Sequence, residues 1–159
     1  MSAFRLSNEL NIPTGQAKDF IDAYFARYPK IQEYLDRTLE EARRSGKVTT
    51  LFGRVRYIPE IHNKSFTVRG NAERMATNAP IQGTAADILK LAMIALDERL
   101  DDAAQMLLTV HDEIVIEVPE TRAADVAGIV KETMENIFPL AVPLQVDAHY
   151  GRSWYDAKE

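Results

Sequence analysis

Cysteine is absent from this chain of 159 residues. Its absence excludes disulfides and thiolate metal sites, and it suits a reducing compartment, so a cytoplasmic location is expected. No run of 18 or more apolar residues occurs, so neither a transmembrane helix nor a membrane partner is expected. The N-terminus lacks a basic region followed by an apolar core, and no signal peptide is expected. Histidine is scarce, with only His62, His111 and His149, which leaves few nitrogen ligands for a metal. No repeat or low-complexity segment interrupts the sequence.

What remains is the balance of a globular protein, 46% hydrophobic and 27% charged, long enough for one domain or two small lobes. A formal net charge of −5 argues weakly against a nucleic-acid partner. The distribution says more. From Arg37 to Arg74, nine Lys and Arg stand against four acids; from Asp87 to Asp147, thirteen acids stand against four basic residues. The first segment could face a phosphate backbone and the second could hold metals, although two solvated faces of opposite sign would give the same pattern.

Hydrophobic periodicity predicts a helix from Ser2 to Leu10 and a second to about Arg27, with Thr14 as its N-cap and Phe20, Ile21, Tyr24 and Phe25 on one face. A third helix starts at Pro29, carries Ile31, Tyr34, Leu35 and Leu39, and ends at Gly46. Val48–Leu51 and Val55–Ile58 read as a hairpin around Phe52-Gly53. After a polar stretch from His62 to Thr67, a helix is expected from about Val68 to Thr77, ending before Pro80. Another runs from about Gly83 to Leu100, with Ile88, Leu91, Ala92, Ala95 and Leu96 inward. Strands follow over Met106–Val110 and Ile114–Val118, then a helix capped by Thr121 and running to about Phe138. Its inward residues are Val126, Ile129, Val130, Met134 and Ile137. Alternating Leu144, Val146 and Ala148 predict a last strand from Leu144 to Tyr150. The fold class is therefore α+β, with a helical first part followed by a small antiparallel sheet packed on helices.

Between the two late strands stand His111, Asp112 and Glu113, none a usual turn residue. Two adjacent carboxylates at a hairpin tip repel each other and must stay wet, so such a pair often holds a divalent cation. An ordinary hairpin with solvated acids is the alternative. Arg74 and Asn78 share a helix face by their spacing of four, and Gln82 lies beyond Pro80. Arg54 and Arg56 flank Val55 and share a strand face. The aromatic residues Phe20, Tyr24, Phe25, Tyr28 and Tyr34 suggest base stacking, but at helical spacing they read as core.

The segment Asn78-Ala79-Pro80-Ile81-Gln82-Gly83-Thr84-Ala85-Ala86-Asp87, the helix after it, the His-Asp-Glu hairpin and the terminal Gly151-Arg152-Ser153-Trp154 together resemble the C-terminal part of family A DNA polymerases, over the whole chain. The resemblance implies part of a fingers subdomain over residues 1–66 and the C-terminal part of a palm over 67–159. It implies two-metal nucleotidyl transfer with Mg²⁺ held in part by Asp112 and Glu113, and His111 near the primer end. It implies contacts from Arg74, Asn78, Gln82, Arg54 and Arg56 to a DNA primer-template, with a deoxynucleoside triphosphate as the other substrate. Such polymerases often carry a further basic residue near Val55, and Gln where this chain has Thr109.

By the same resemblance, the other bridging aspartate and the helix that grips the triphosphate are expected to precede Met1, so the isolated chain is expected to be inactive. Uncovered apolar surface should then favour self-association. Two other functions fit the residues: a non-catalytic assembly module or half of a split polymerase, and a small metal-dependent hydrolase built on His111, Asp112 and Glu113.

Overall fold

A computed structural model describes residues 2–158. Backbone contacts divide the chain into two compact units, residues 1–80 and 81–159. The division falls later than the polar stretch at 62–67 because the first half of a long helix packs with the elements before it.

In the first unit, α1 (Ala3–Leu10) is capped by Ser2, whose side chain accepts the Arg5 N–H at 3.2 Å, and it stops at Asn11 in the left-handed region. Helix α2 (Thr14–Arg27) begins one residue earlier than expected. Thr14 is its first residue rather than its cap, and its hydroxyl lies 3.3 Å from that of Ser7, which in turn donates to the Ile12 carbonyl at 2.6 Å. Helix α3 (Pro29–Ser45) starts on proline, whose missing N–H costs nothing in a first turn, and ends at Gly46 with φ 71°. Strands β1 (Lys47–Thr49) and β2 (Val55–Tyr57) pair antiparallel, with Gly53 at φ 80° in the connection.

The core of this unit is small: Ala42, Val48, Ile58, Ile61, Ala72, Ala76 and Ala79. Three of these lie on α4 (Phe66–Arg99), so its first turns close the core against α3 and the hairpin. Arg43 pairs with Glu73 at 2.8 Å, and its carbonyl lies 2.8 Å from His62 Nε2.

Helix α4 corrects the expectation of two helices. It is continuous for 34 residues, with Pro80 inside it. Pro80 cannot donate to the Ala76 carbonyl, the usual reason a helix stops. Ala76 and Ala79, buried in the core, keep the turn before Pro80 in place. By length and composition alone α4 would also serve as a membrane span, a test that the core helix of a soluble protein passes as well.

In the second unit, the later half of α4 buries Ala92 and Leu96, and helix α5 (Ala123–Glu135) buries Val126 and Thr133. Leu91, expected inward, is 37% exposed. Arg99 joins the helices, donating to Thr133 Oγ1 at 2.8 Å and pairing with Glu132 at 3.1 Å. Thr121 falls in a short 3-10 turn before α5 and does not cap it, and the helix ends three residues before Phe138. Strands β3 (Gln105–Val110) and β4 (Glu113–Glu117) form a second two-stranded ladder.

The expected strand from Leu144 to Tyr150 does not form a ladder among the described residues. Its alternation is real: Leu144, Val146 and Ala148 are half-buried while Gln145, Asp147 and His149 are exposed. A strand needs a neighbouring backbone as well as alternation, and here the Val146 N–H donates to the Glu135 carboxylate at 3.0 Å.

Candidate functional site

The β3–β4 hairpin is built around its turn. Val110 pairs with Glu113, so His111 and Asp112 alone form a two-residue connection. Such tight connections need a positive φ, normally supplied by Gly, Asn or Asp. His111 takes that role at φ 57°. Among the described residues it is one of two non-glycine residues in the left-handed region; the other, Asn11, ends a helix. The ladder register also slips between Met106 and Leu108, so Leu107 is an extra residue on β3. A bulge of this kind increases the local twist and re-aims the strand end.

His111, Asp112 and Glu113 are all exposed, Asp112 in the turn and Glu113 as the first residue of β4. The hairpin thus presents two consecutive carboxylates at its tip, as expected. Mg²⁺ takes oxygen ligands, commonly one or two protein carboxylates completed by water and phosphate. Asp112 and Glu113 fit that donor chemistry. They do not complete a metal centre, for no group of three or more His, Asp or Glu suited to a metal occurs among the described residues.

Arg74, Asn78 and Gln82 sit at intervals of four along α4, all exposed. Because the helix runs through Pro80, Gln82 continues the row rather than lying past a break. Asn78 is correspondingly not a helix cap. Arg74 donates to Asn71 Oδ1 and does not pair with Glu73, which Arg43 already holds. Arg54 precedes β2 and Arg56 lies in it opposite Val48, both exposed. The Arg54 N–H donates to Thr50 Oγ1 at 3.2 Å, and its carbonyl accepts from the Thr50 N–H at 2.9 Å, which holds the connection closed.

The core reading of the aromatic residues fails in part. Phe20, Tyr24 and Tyr28 are exposed, while Phe25 and Tyr34 are half-buried. Helix α2 buries only Ala17, so its stripe is too wide for the surface that covers it. Periodicity identifies an apolar face and carries no information on whether anything packs against it.

The family model of DNA polymerase family A matches residues 1–156. The chain is 54% identical over its full length to the thermostable DNA polymerase I of Thermus aquaticus, spanning 19% of that protein. It is 51% identical over 99% of its length to DNA polymerase I of Deinococcus radiodurans, spanning 17% of it. Among solved structures, the POL domain of Pol1 from M. smegmatis, in complex with DNA primer-template and dNTP, superposes with a TM-score of 0.92 at 44% identity. That match covers 99% of this chain and 28% of the POL domain. The chain spans about a fifth of the length of the curated relatives it matches, and it belongs to DNA polymerase family A.

Proposed function

We propose that this chain forms the C-terminal part of a cytoplasmic DNA-directed DNA polymerase, contributing the C-terminal fingers over residues 1–66 and the C-terminal palm over 67–159. The observation that carries this reading is the two-residue turn that sets Asp112 and Glu113 side by side at an exposed hairpin tip. In the assembled enzyme these two carboxylates would hold Mg²⁺. When bound, the metal offsets charge on the reacting phosphate and makes the primer hydroxyl a better nucleophile. Asp112 is the principal ligand, and Glu113 supports it from the first position of β4. His111 lies beside them to meet the primer end.

The row of Arg74, Asn78 and Gln82 serves a different purpose. Its side chains offer hydrogen bonds suited to sugars, phosphates and the minor groove, whose acceptors lie in similar places for every base pair. Arg54 and Arg56 meet backbone phosphate. Contacts of this kind hold the duplex without reading its sequence. A self-contained hydrolase has less support, because His62 is occupied by the Arg43 carbonyl, and His111, Asp112 and Glu113 do not gather into a three-ligand metal group among the described residues.

The test is single-turnover primer extension, beside DNA affinity, in a DNA polymerase I carrying this segment. Asp112→Ala should lower the rate by several decades with DNA affinity nearly unchanged, since the metal acts on charge that develops in the transition state. Arg74→Ala, Asn78→Ala and Gln82→Ala should each weaken primer-template handling on every sequence, by roughly 1.5–3 kcal/mol where a charged hydrogen bond is lost. Near-normal turnover in Asp112→Ala, or sequence-selective defects in the others, would overturn these roles. The isolated 159-residue chain should extend no primer with Mg²⁺ and four nucleotides.

A further inference from the structure

Helix α4 carries an exposed group that none of these roles uses. Met75 is 38% exposed, whereas Met93, Met106 and Met134 are half-buried. At 3.6 residues per turn, Asn71 and Asn78 fall within about 60° of Met75 around the helix axis. Asn71, Arg74 and Asn78 are exposed as well, and all of these neighbours belong to the first unit. Arg74 donates to Asn71 Oδ1, so the acceptor of that amide is occupied and the face offers mainly N–H groups. The Met75 thioether is the apolar member of the patch and at most a weak acceptor. Ala72, Ala76 and Ala79 are buried in the core, which fixes the inner side of these turns and leaves Met75 outside.

We propose that Met75 is an oxidation site, at which a hydroperoxide converts the thioether to a sulfoxide and thereby weakens duplex DNA on the Arg74 and Asn78 face. The inference rests on the reading of that face as a primer-template contact. In the step, a sulfur lone pair attacks one peroxide oxygen. An S–O bond forms as the O–O bond breaks, and sulfur is oxidised by two electrons. The departing hydroxide takes the proton from the new S–OH group and leaves as water. The product is polar and chiral, with an acceptor oxygen where an apolar group stood. Minor-groove edges and phosphates are themselves acceptors, so the new oxygen meets them with no proton to share. It also competes with DNA for the Asn71 N–H groups, four residues away on the same face. Peroxide has to reach the sulfur, so exposure sets the order in which the methionines react.

The experiment treats the 159-residue chain with hydrogen peroxide at a dose that adds one oxygen per chain. Trypsin places each methionine on its own peptide, because a Lys or Arg separates every pair of them. Mass spectrometry should find the Met75 peptide oxidised severalfold faster than those of Met93, Met106 and Met134. Fluorescence anisotropy with a short labelled DNA duplex, at fixed low salt, then reads the consequence. Parent binding is expected in the micromolar to submillimolar range, as for non-specific nucleic-acid contacts. The chain oxidised at Met75 should bind roughly fivefold to a hundredfold more weakly, the cost of an acceptor left without a donor. Met75→Leu, close in volume and without sulfur, should bind as the parent does and ignore peroxide. Enzymatic reduction of the sulfoxide should restore the parent affinity.

Equal oxidation rates for Met75 and the half-buried methionines would overturn the site. So would unchanged duplex affinity in the chain oxidised at Met75, or an equal loss of affinity in peroxide-treated Met75→Leu. Failure here differs from failure of the reading on which it rests, which is scored on Arg74→Ala without peroxide. If Arg74→Ala binds the duplex as the parent does, the DNA face itself is wrong. If Arg74→Ala weakens binding and the Met75 sulfoxide does not, only the oxidation site falls.

Discussion

At the scale of single residues, two positions tolerate few other side chains. His111 at φ 57° spends conformational energy on a turn that Asn would make more readily. His111→Asn should therefore leave the thermal midpoint unchanged or slightly raised, whereas β-branched His111→Val should cost about 1–2 kcal/mol; equal midpoints for the two would show that the turn carries no strain. Gly151 answers to space instead. A Cβ built there would stand 2.8 Å from the Asp156 Cβ and 2.9 Å from the Ala157 nitrogen. The last turn, in which the Ala157 N–H donates to the Ser153 carbonyl at 3.1 Å, sits directly on that glycine. Gly151→Ala should displace it, and amide exchange at Ala157 should quicken while α5 keeps its protection. The importance of Gly151-Arg152-Ser153-Trp154 was legible in the sequence as a motif, but the reason for its glycine was not, because the atoms it makes room for come from residues five and six positions later.

Among the elements, the ladders and helices hold through few and exposed ties. Arg122, at the end of the turn before α5, donates to both oxygens of Asp101, at 2.8 and 2.6 Å. The Arg122 hydrogen bonds hold the Asp101 carboxyl below its ordinary value. A lowered folded value means that this stabilisation is fully present above the unfolded value and is lost as pH falls through the folded one. The Asp101–Arg122 tie should thus persist at neutral pH and disappear only in acid, below the ordinary aspartate range. Protection of the Ala103 and Ala104 amides, followed by NMR against pH, should fall there in the parent and show no such step in Asp101→Asn. The elements also show where periodicity misleads. Pro80 predicts an end to a helix, and Leu144–Tyr150 predicts a strand. Burial of Ala76 and Ala79 overrides the first, and a missing neighbour undoes the second.

For the whole molecule, surface is the governing quantity. The chain exposes 11697 Å². Two separate compact units of half its mass would together expose only about 9,700 Å² by the usual scaling of area with mass. Large apolar side chains on that surface include Phe4, Phe20, Leu51, Ile81, Ile94, Leu107 and Val142. Uncovered apolar area of this extent is normally covered by a partner. The isolated chain should therefore self-associate, and sedimentation at roughly tens of micromolar should show species heavier than 17.9 kDa. A single sharp monomer boundary across a concentration series would count against it.

The sequence by itself determined the family, the helices α1 to α3, both hairpins and the place of His111, Asp112 and Glu113. Each of these rests on local chemistry: a cap, a period, a turn, a run of strand formers. Tertiary structure alone decided that α4 passes through Pro80, that Leu107 bulges, that Leu144–Tyr150 lacks a ladder partner and that Tyr24 and Tyr28 face outward. Those outcomes depend on what lies across from a residue rather than beside it. Burial, unlike propensity, is a property of the neighbours that a folded chain brings together.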